Sequence, residues 1–177
     1  MLQLRVAAVL ISEPLVVDAA VESRWNRVAV NELLVAELSR DYHNSQLACV
    51  ANNNNVTSPS TTAFTLVMSL RPLVTRLEHP PRSLRVGRQY HILCVTAGSR
   101  PHPNITWTLG NVASISPLLA ETQHEVNVSS SRVALVASRR HHGQRLSCTA
   151  LNPRFPDHPL TDSLLLNVTC ECVGGVG

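Results

Sequence analysis

Cys94 and Cys148 are the residues whose type and placing most directly suggest chemistry, and that chemistry is oxidation to a disulfide. Cys94 continues an alternating apolar run with Tyr90 and Ile92, and Cys148 follows Leu146 in the same way. Between them Trp107 alternates with Ile105 and Leu109. A strand places alternate side chains on one face, so all three runs turn their sulfur or indole toward one interior. Closing a loop of this length with a disulfide removes roughly 4 kcal/mol of unfolded-state entropy, against a domain stability of about 5 to 15 kcal/mol.

Other reactive groups offer less. Cys170-Glu171-Cys172 beside eight histidines suggests metal binding, but a C-x-C pair lacks a second ligand pair at zinc-like spacing. No metal or cofactor is therefore expected. His141-His142 falls at an expected exposed corner, where solvated histidines outnumber ligands and bases. No Gly-x-Ser-x-Gly elbow, phosphate loop or His-Glu-x-x-His occurs, so neither enzyme chemistry nor a small-molecule substrate is expected. The formal charge is +3 and every basic residue besides histidine is arginine. The densest strip, Arg82, Arg85 and Arg88, has no interleaved aromatics to stack on bases, which argues against nucleic acid and for a solvated strand edge.

Four asparagines stand in N-glycosylation acceptor patterns: Asn55, Asn104, Asn127 and Asn167. Asn55 in a polar turn and Asn167 between the inward Leu166 and Val168 are the favoured carriers, while Asn104 adjoins the buried run of Ile105 and Trp107. With a structural disulfide, these sequons point to an oxidising, extracellular setting. Met1 to Ile11 is apolar, but Arg5 interrupts it, Glu13 and Pro14 close it and no small-residue cleavage site follows, so it reads poorly as a signal peptide. No apolar run is long enough to span a bilayer.

The elements that must hold these residues are strands. Charged residues make up 15% and hydrophobic ones 44%, which suits a packed globule, and short Val, Leu and Thr runs recur between Pro, Asn, Ser and Gly clusters. The order Cys, Trp, distant Cys is the signature of an immunoglobulin sandwich, two sheets stapled against a buried indole. After a junction at Arg71-Pro72, strand A is expected at about Leu73 to Leu77, then a Pro80-Pro81 break and a short strand over Leu84 to Val86. Strand B covers Gln89 to Thr96, C Asn104 to Leu109, E about Arg132 to Ala137, F about Arg145 to Ala150 and G about Asp162 to Thr169.

An internal repeat lies upstream. At an offset of 99 residues, which carries Cys49 onto Cys148, Ser39, Arg40, His43, Leu47, Ala51 and Asn53 fall on Ser138, Arg139, His142, Leu146, Ala150 and Asn152. The partner of Cys94 would then lie before Met1 and the counterpart of Trp107 at Ala8. Four segments are expected: 1–30 unassigned, 31–71 a partial immunoglobulin-like domain, 72–169 a complete one, and 170–177 a tail. The partial domain keeps strands E (about Asn31 to Leu38), F (about Gln46 to Ala51) and G (about Ala63 to Leu70). Cys49 is expected to lack an intrachain partner of the immunoglobulin type.

Arg88 to Cys94, Gly98-Ser99-Arg100-Pro101 with Ile105-Thr106-Trp107, and Gly143 to Pro153 together resemble the sidestep family of arthropod immunoglobulin-superfamily proteins. Ser39-Arg40-Asp41, Leu47-Ala48-Cys49, Asn52 to Asn55 and Leu70 to Leu73 resemble the end of that family's first domain. The fold so expected is all-β, an immunoglobulin-like β-sandwich of the C2, CD80-like type. The resemblance implies a cell-surface receptor with extracellular immunoglobulin domains, acting in axon guidance. Its protein partner would be of beaten-path type, on an opposing cell surface, recognised mainly by the outermost domain. A secreted or matrix array of immunoglobulin repeats is the alternative. Two positions depart from the family: His141 stands for an acidic corner residue, and Thr108 for a second Trp.

Overall fold

The computed structural model describes residues 5–10, 23–25, 28–30, 33, 35, 37–52, 56–110 and 120–170. The chain divides into two units, Met1–Met68 and Ser69–Gly177. The boundary falls ahead of the expected Arg71-Pro72 junction because Leu70 pairs with Arg100 within the second unit, their backbones bonded both ways at 2.7 and 2.9 Å.

In the first unit β1 (Arg5–Leu10), β4 (Gln46–Asn52) and β5 (Ser60–Thr65) form one antiparallel sheet in the order β1-β4-β5. A separate hairpin joins β2 (Ser23–Trp25) to β3 (Val28–Val30). Residues 1–30, to which the sequence assigns no role, thus supply three strands. Half of the strand expected over 31–38 falls outside the described residues, and the described positions 33, 35, 37 and 38 carry none. The final strand starts at Ser60 instead of Ala63 because Ser60 to Thr65 register against Ala51 to Gln46.

The second unit is built from β6 (Val74–Glu78), β7 (Leu84–Arg85), β8 (Gln89–Ala97), β9 (Asn104–Leu109), β10 (Ala120–His124), β11 (Val128–Val136), β12 (Arg145–Leu151), β13 (Leu160–Leu165) and β14 (Val168–Thr169). One sheet runs β10-β11-β8-β6 and the other β13-β12-β9. Alternation sends Ile92 and Cys94 from β8, Val133 and Leu135 from β11, Trp107 from β9, and Leu146 and Cys148 from β12 into one core between the sheets. Burying such side chains is worth about 1.5 to 3 kcal/mol each, which makes this packing the main source of the unit's stability.

The Pro80-Pro81 break separates two strands that serve different partners. β6 pairs with β8, whereas β7 runs parallel to β14. The expected strand over Asp162 to Thr169 is divided to match. Leu166 exchanges backbone bonds with the corner before β12, giving up its N–H to Gln144 and accepting from Gly143, and only then does the chain reach β7.

The two units share local geometry that the offset of 99 anticipates. β1 falls on β9 and β4 on β12, and Ala8 stands opposite Cys49 as Trp107 stands opposite Cys148. β1 is therefore the first unit's equivalent of strand C, beside the F and G equivalents β4 and β5. Single 3₁₀ turns at Arg40–Tyr42 and Arg139–His141 occupy matching corners. Asn44 and Gly143 follow with φ of 67° and 72°. In each corner an imidazole Nδ1 accepts a backbone N–H at 3.1 Å, His43 from Met68 and His142 from Val168.

Candidate functional site: the stapled core and its two faces

Cys94 and Cys148, each 0% exposed, are joined by a disulfide with Cα atoms 6.4 Å apart. Both sit mid-strand, one in each sheet, so the bond crosses the sandwich at its centre. Trp107 neighbours Cys148 across β9 and β12, and its indole N–H donates to Ser131 Oγ at 3.0 Å, satisfying the ring's single polar group inside the core. The sequence anticipates the indole's burial but not its acceptor, which lies 24 residues away on the opposite sheet.

Cys49 and Cys170 are free and exposed, and Cys172 lies outside the described residues. Among the described residues no three His, Cys, Asp or Glu side chains gather as a metal site. Asn104, Asn127 and Asn167 are exposed, and Asn55 lies outside the described residues. Asn104 faces outward because it shares its strand face with Thr106, while Trp107 faces in. Asn127 Oδ1 accepts from Arg100 Nη2 at 2.8 Å.

Several of the histidines hold structure. His141 Nδ1 accepts from the Ser138 N–H at 3.3 Å. Burial first, then the neighbouring Arg140 charge, keeps its imidazole below the ordinary value. His102 and His124 stack with ring centroids 4.6 Å apart and planes 29° apart. Both reach the buried Ser129 Oγ through Nδ1, at 3.3 and 2.8 Å. One hydroxyl has one proton to give, so one ring must donate its own N–H.

Asn152, 0% exposed, is a polar hub without counterpart in the sequence-stated sites. Its Nδ2 lies 2.8 Å from Leu70 O, 3.0 Å from Ser99 Oγ, 2.9 Å from Arg100 O and 3.3 Å from Pro101 O, while its Oδ1 accepts from the Arg154 N–H. It ties the turn after β12 to the turn between β8 and β9, which contains the cis Arg100-Pro101 bond, and to the start of the unit.

The outer face of β13-β12-β9 presents registered hydroxyl rows, Ser163–Ser147–Thr108 and Thr161–Thr149–Thr106. Thr149 and Thr161 share a hydrogen bond at 2.9 Å, and Arg145 donates to Ser163 at 2.9 Å. This face is polar and nearly uncharged, suited to many neutral hydrogen bonds with a protein surface. Among the described residues no helix is long and apolar enough to cross a membrane.

Residues 69–157 match the family model of the CD80-like C2-set immunoglobulin domain. Human nephrin is 24% identical over 154 residues, covering 86% of this chain and 12% of nephrin, and mouse nephrin is 25% identical over 145 residues, covering 80% and 11%. The chain therefore spans about an eighth of the curated relatives it matches. Among solved structures, the Rst D1-D2 pair superposes with a TM-score of 0.57 at 18% identity, covering 71% of this chain and 64% of that one. The titin I-band fragment I67-I69 gives 0.56 at 15% identity, covering 94% and 56%. These likenesses show the fold.

Proposed function

The chain belongs to the CD80-like C2-set immunoglobulin domain family, and from that premise we propose that it is the extracellular, adhesion-type part of a cell-surface receptor that acts by binding another protein. The observation carrying this reading is the disulfide buried across the sandwich, a bond that persists in oxidising compartments. The similarity to nephrin supports the adhesion-type assignment. Within it, the sidestep-like strings favour a guidance receptor whose partner is an immunoglobulin-superfamily protein of beaten-path type on an opposing cell. The polar outer face of β13-β12-β9 offers hydrogen-bonding groups without a net field that would steer it to nucleic acid.

Asn104, Asn127 and Asn167 are proposed glycan carriers on the same reading, supported by their exposure, as Asn55 is by its sequence setting. The first unit pairs β4 with strands on both sides, but Cys49 is exposed on it where its counterpart Cys148 is buried. Recognition assigned to the outermost domain should therefore be weak in this chain and restored by an upstream extension that supplies a cysteine-bearing strand. Surface-plasmon measurements with a beaten-path-type protein test this: stronger saturable binding by the extended chain is expected. Equal binding by both would move the contact to the second unit, and no binding by either would remove the guidance assignment.

A further inference from the structure

The two faces of the second unit differ in chemistry. On the outer face of β10-β11-β8-β6, alternation against the buried Ile92, Cys94, Ser131 and Val133 leaves Leu93, Val95, Ala97, Val128, Ala134 and Val136 facing away from the core. Val136 is 57% exposed. Two registered rows cross this apolar centre, Glu121–Arg132–Leu93–Glu78 and Gln123–Ser130–Val95–Arg76. At one edge Arg76 Nε and Glu78 Oε1 pair at 2.7 Å. An apolar stretch on the two inner strands, interrupted by the exposed Arg132 and His91 and flanked by charged edge strands, is the composition of an interaction surface.

We propose that this face seats a second copy of the chain, packed sheet to sheet about a two-fold axis that crosses the strands between Leu93 and Val95. The argument is one of charge and area, and it stands apart from the beaten-path reading. An axis in that place sets one row against the other: Leu93 meets the other copy's Val95, Glu78 meets Arg76 twice, Arg132 meets Ser130, and Glu121 meets Gln123. A two-fold axis along the strands would instead oppose Glu121 to Glu78, a like-charge contact. The pattern is thus self-complementary in one orientation, as a closed two-fold interface requires.

Strand lengths and spacing give this sheet a projected area of roughly 450 Å², against roughly 300 Å² for β13-β12-β9. Side-chain relief raises the accessible area above the projection, toward the lower end of specific interfaces at about 600 Å² a side. Such a contact forms a reversible dimer, not a permanent one.

Sedimentation velocity of the full chain, with exposed thiols capped by iodoacetamide, tests the proposal between about 1 and 200 µM, a range suited to weak dimers. A concentration-dependent shift toward dimer is expected. Leu93→Arg should raise the dissociation constant at least tenfold, and Thr149→Arg on the other face should leave it unchanged. Arg76→Glu alone and Glu78→Arg alone should each weaken association. Combining the two should restore it, because the swap rebuilds both intermolecular pairs. Circular dichroism and the unfolding midpoint show whether each variant is folded, and the exposed Arg76 and Glu78 substitutions serve if Leu93→Arg is not. A chain that remains monomeric throughout overturns the proposal, as does disruption by Thr149→Arg but not by the Arg76 or Glu78 variants. Monomeric behaviour with loss of heterologous protein binding on Leu93→Arg would assign the face to that protein and overturn the second copy.

Discussion

Asn152 illustrates how much one amide can hold, since its two N–H protons face four oxygens drawn from the turn between β8 and β9 and from Leu70. Asn152→Ala leaves the Arg154 N–H without its acceptor and takes the side-chain donor away from oxygens that keep only their backbone or hydroxyl partners, and it is expected to cost about 1–3 kcal/mol in urea unfolding. Asn152→Asp should cost more, about 3–5 kcal/mol at neutral pH, because a buried carboxylate would face the same acceptors. That excess should shrink as the pH is lowered and the carboxyl regains a proton. The residue is visible in the repeated Leu-x-Cys-x-Ala-x-Asn string, but the oxygens its Nδ2 faces stand 51 to 82 positions away, beyond any local pattern. The disulfide and the indole are legible because alternation and order alone place them. At His141 the folded-state value lies below 6.5, so the neutral ring favours the folded state. Its contribution is whole above 6.5 and fades as the pH falls below 6.5 toward the folded value, because the unfolded ring takes its proton first. The stability difference between wild type and His141→Asn, followed by urea unfolding across that range, should narrow on acidification.

The corner before β12 and its counterpart before β4 solve one backbone problem with different residues. Both need a left-handed residue after the 3₁₀ turn, supplied by Gly143 and Asn44. A Cβ at Gly143 would meet nothing within 4 Å, so substitutions there report backbone strain alone. Gly143→Asn is expected to cost less than about 1 kcal/mol and Gly143→Val about 1–2 kcal/mol by thermal melting, since only the former tolerates positive φ. The same comparison explains which strands the sequence reveals. β9 carries its expected bounds because proline and glycine turns frame a clean alternation. The redirection of β7 to β14 is not legible, since apolar alternation says which face is buried and nothing of which edge supplies the hydrogen bonds. β1 escapes notice because alanine stands where its repeat has tryptophan.

At the scale of the molecule the two units should differ in endurance. The second has a sandwich core crossed by a disulfide, whereas the first, among the described residues, has a three-stranded sheet and a hairpin. Native-state hydrogen exchange should therefore protect β8, β11 and β12 close to the global limit and β4 by at least tenfold less, with mass spectrometry of peptic peptides as the measurement. A thiol reagent applied to the folded chain should label Cys49 and spare Cys94 and Cys148. The parallel pairing of β7 with β14 has a mechanical consequence. Tension applied at Ser69 and Cys170 first loads Leu70 against Arg100 and β6 against β8. With β6 released, it draws β7 and β14 in opposite directions along a common line, so the bonds from Leu84 N–H to Asn167 O and from Val86 N–H to Thr169 O then bear load together, in shear. Once they yield, the covalent bridge between Cys94 and Cys148, 54 positions apart, withholds roughly 180 Å of chain from extension. The pairing of β6 with β8 and then of β7 with β14 thus governs when the unit gives way under force, and the sulfur bridge governs how far it then stretches.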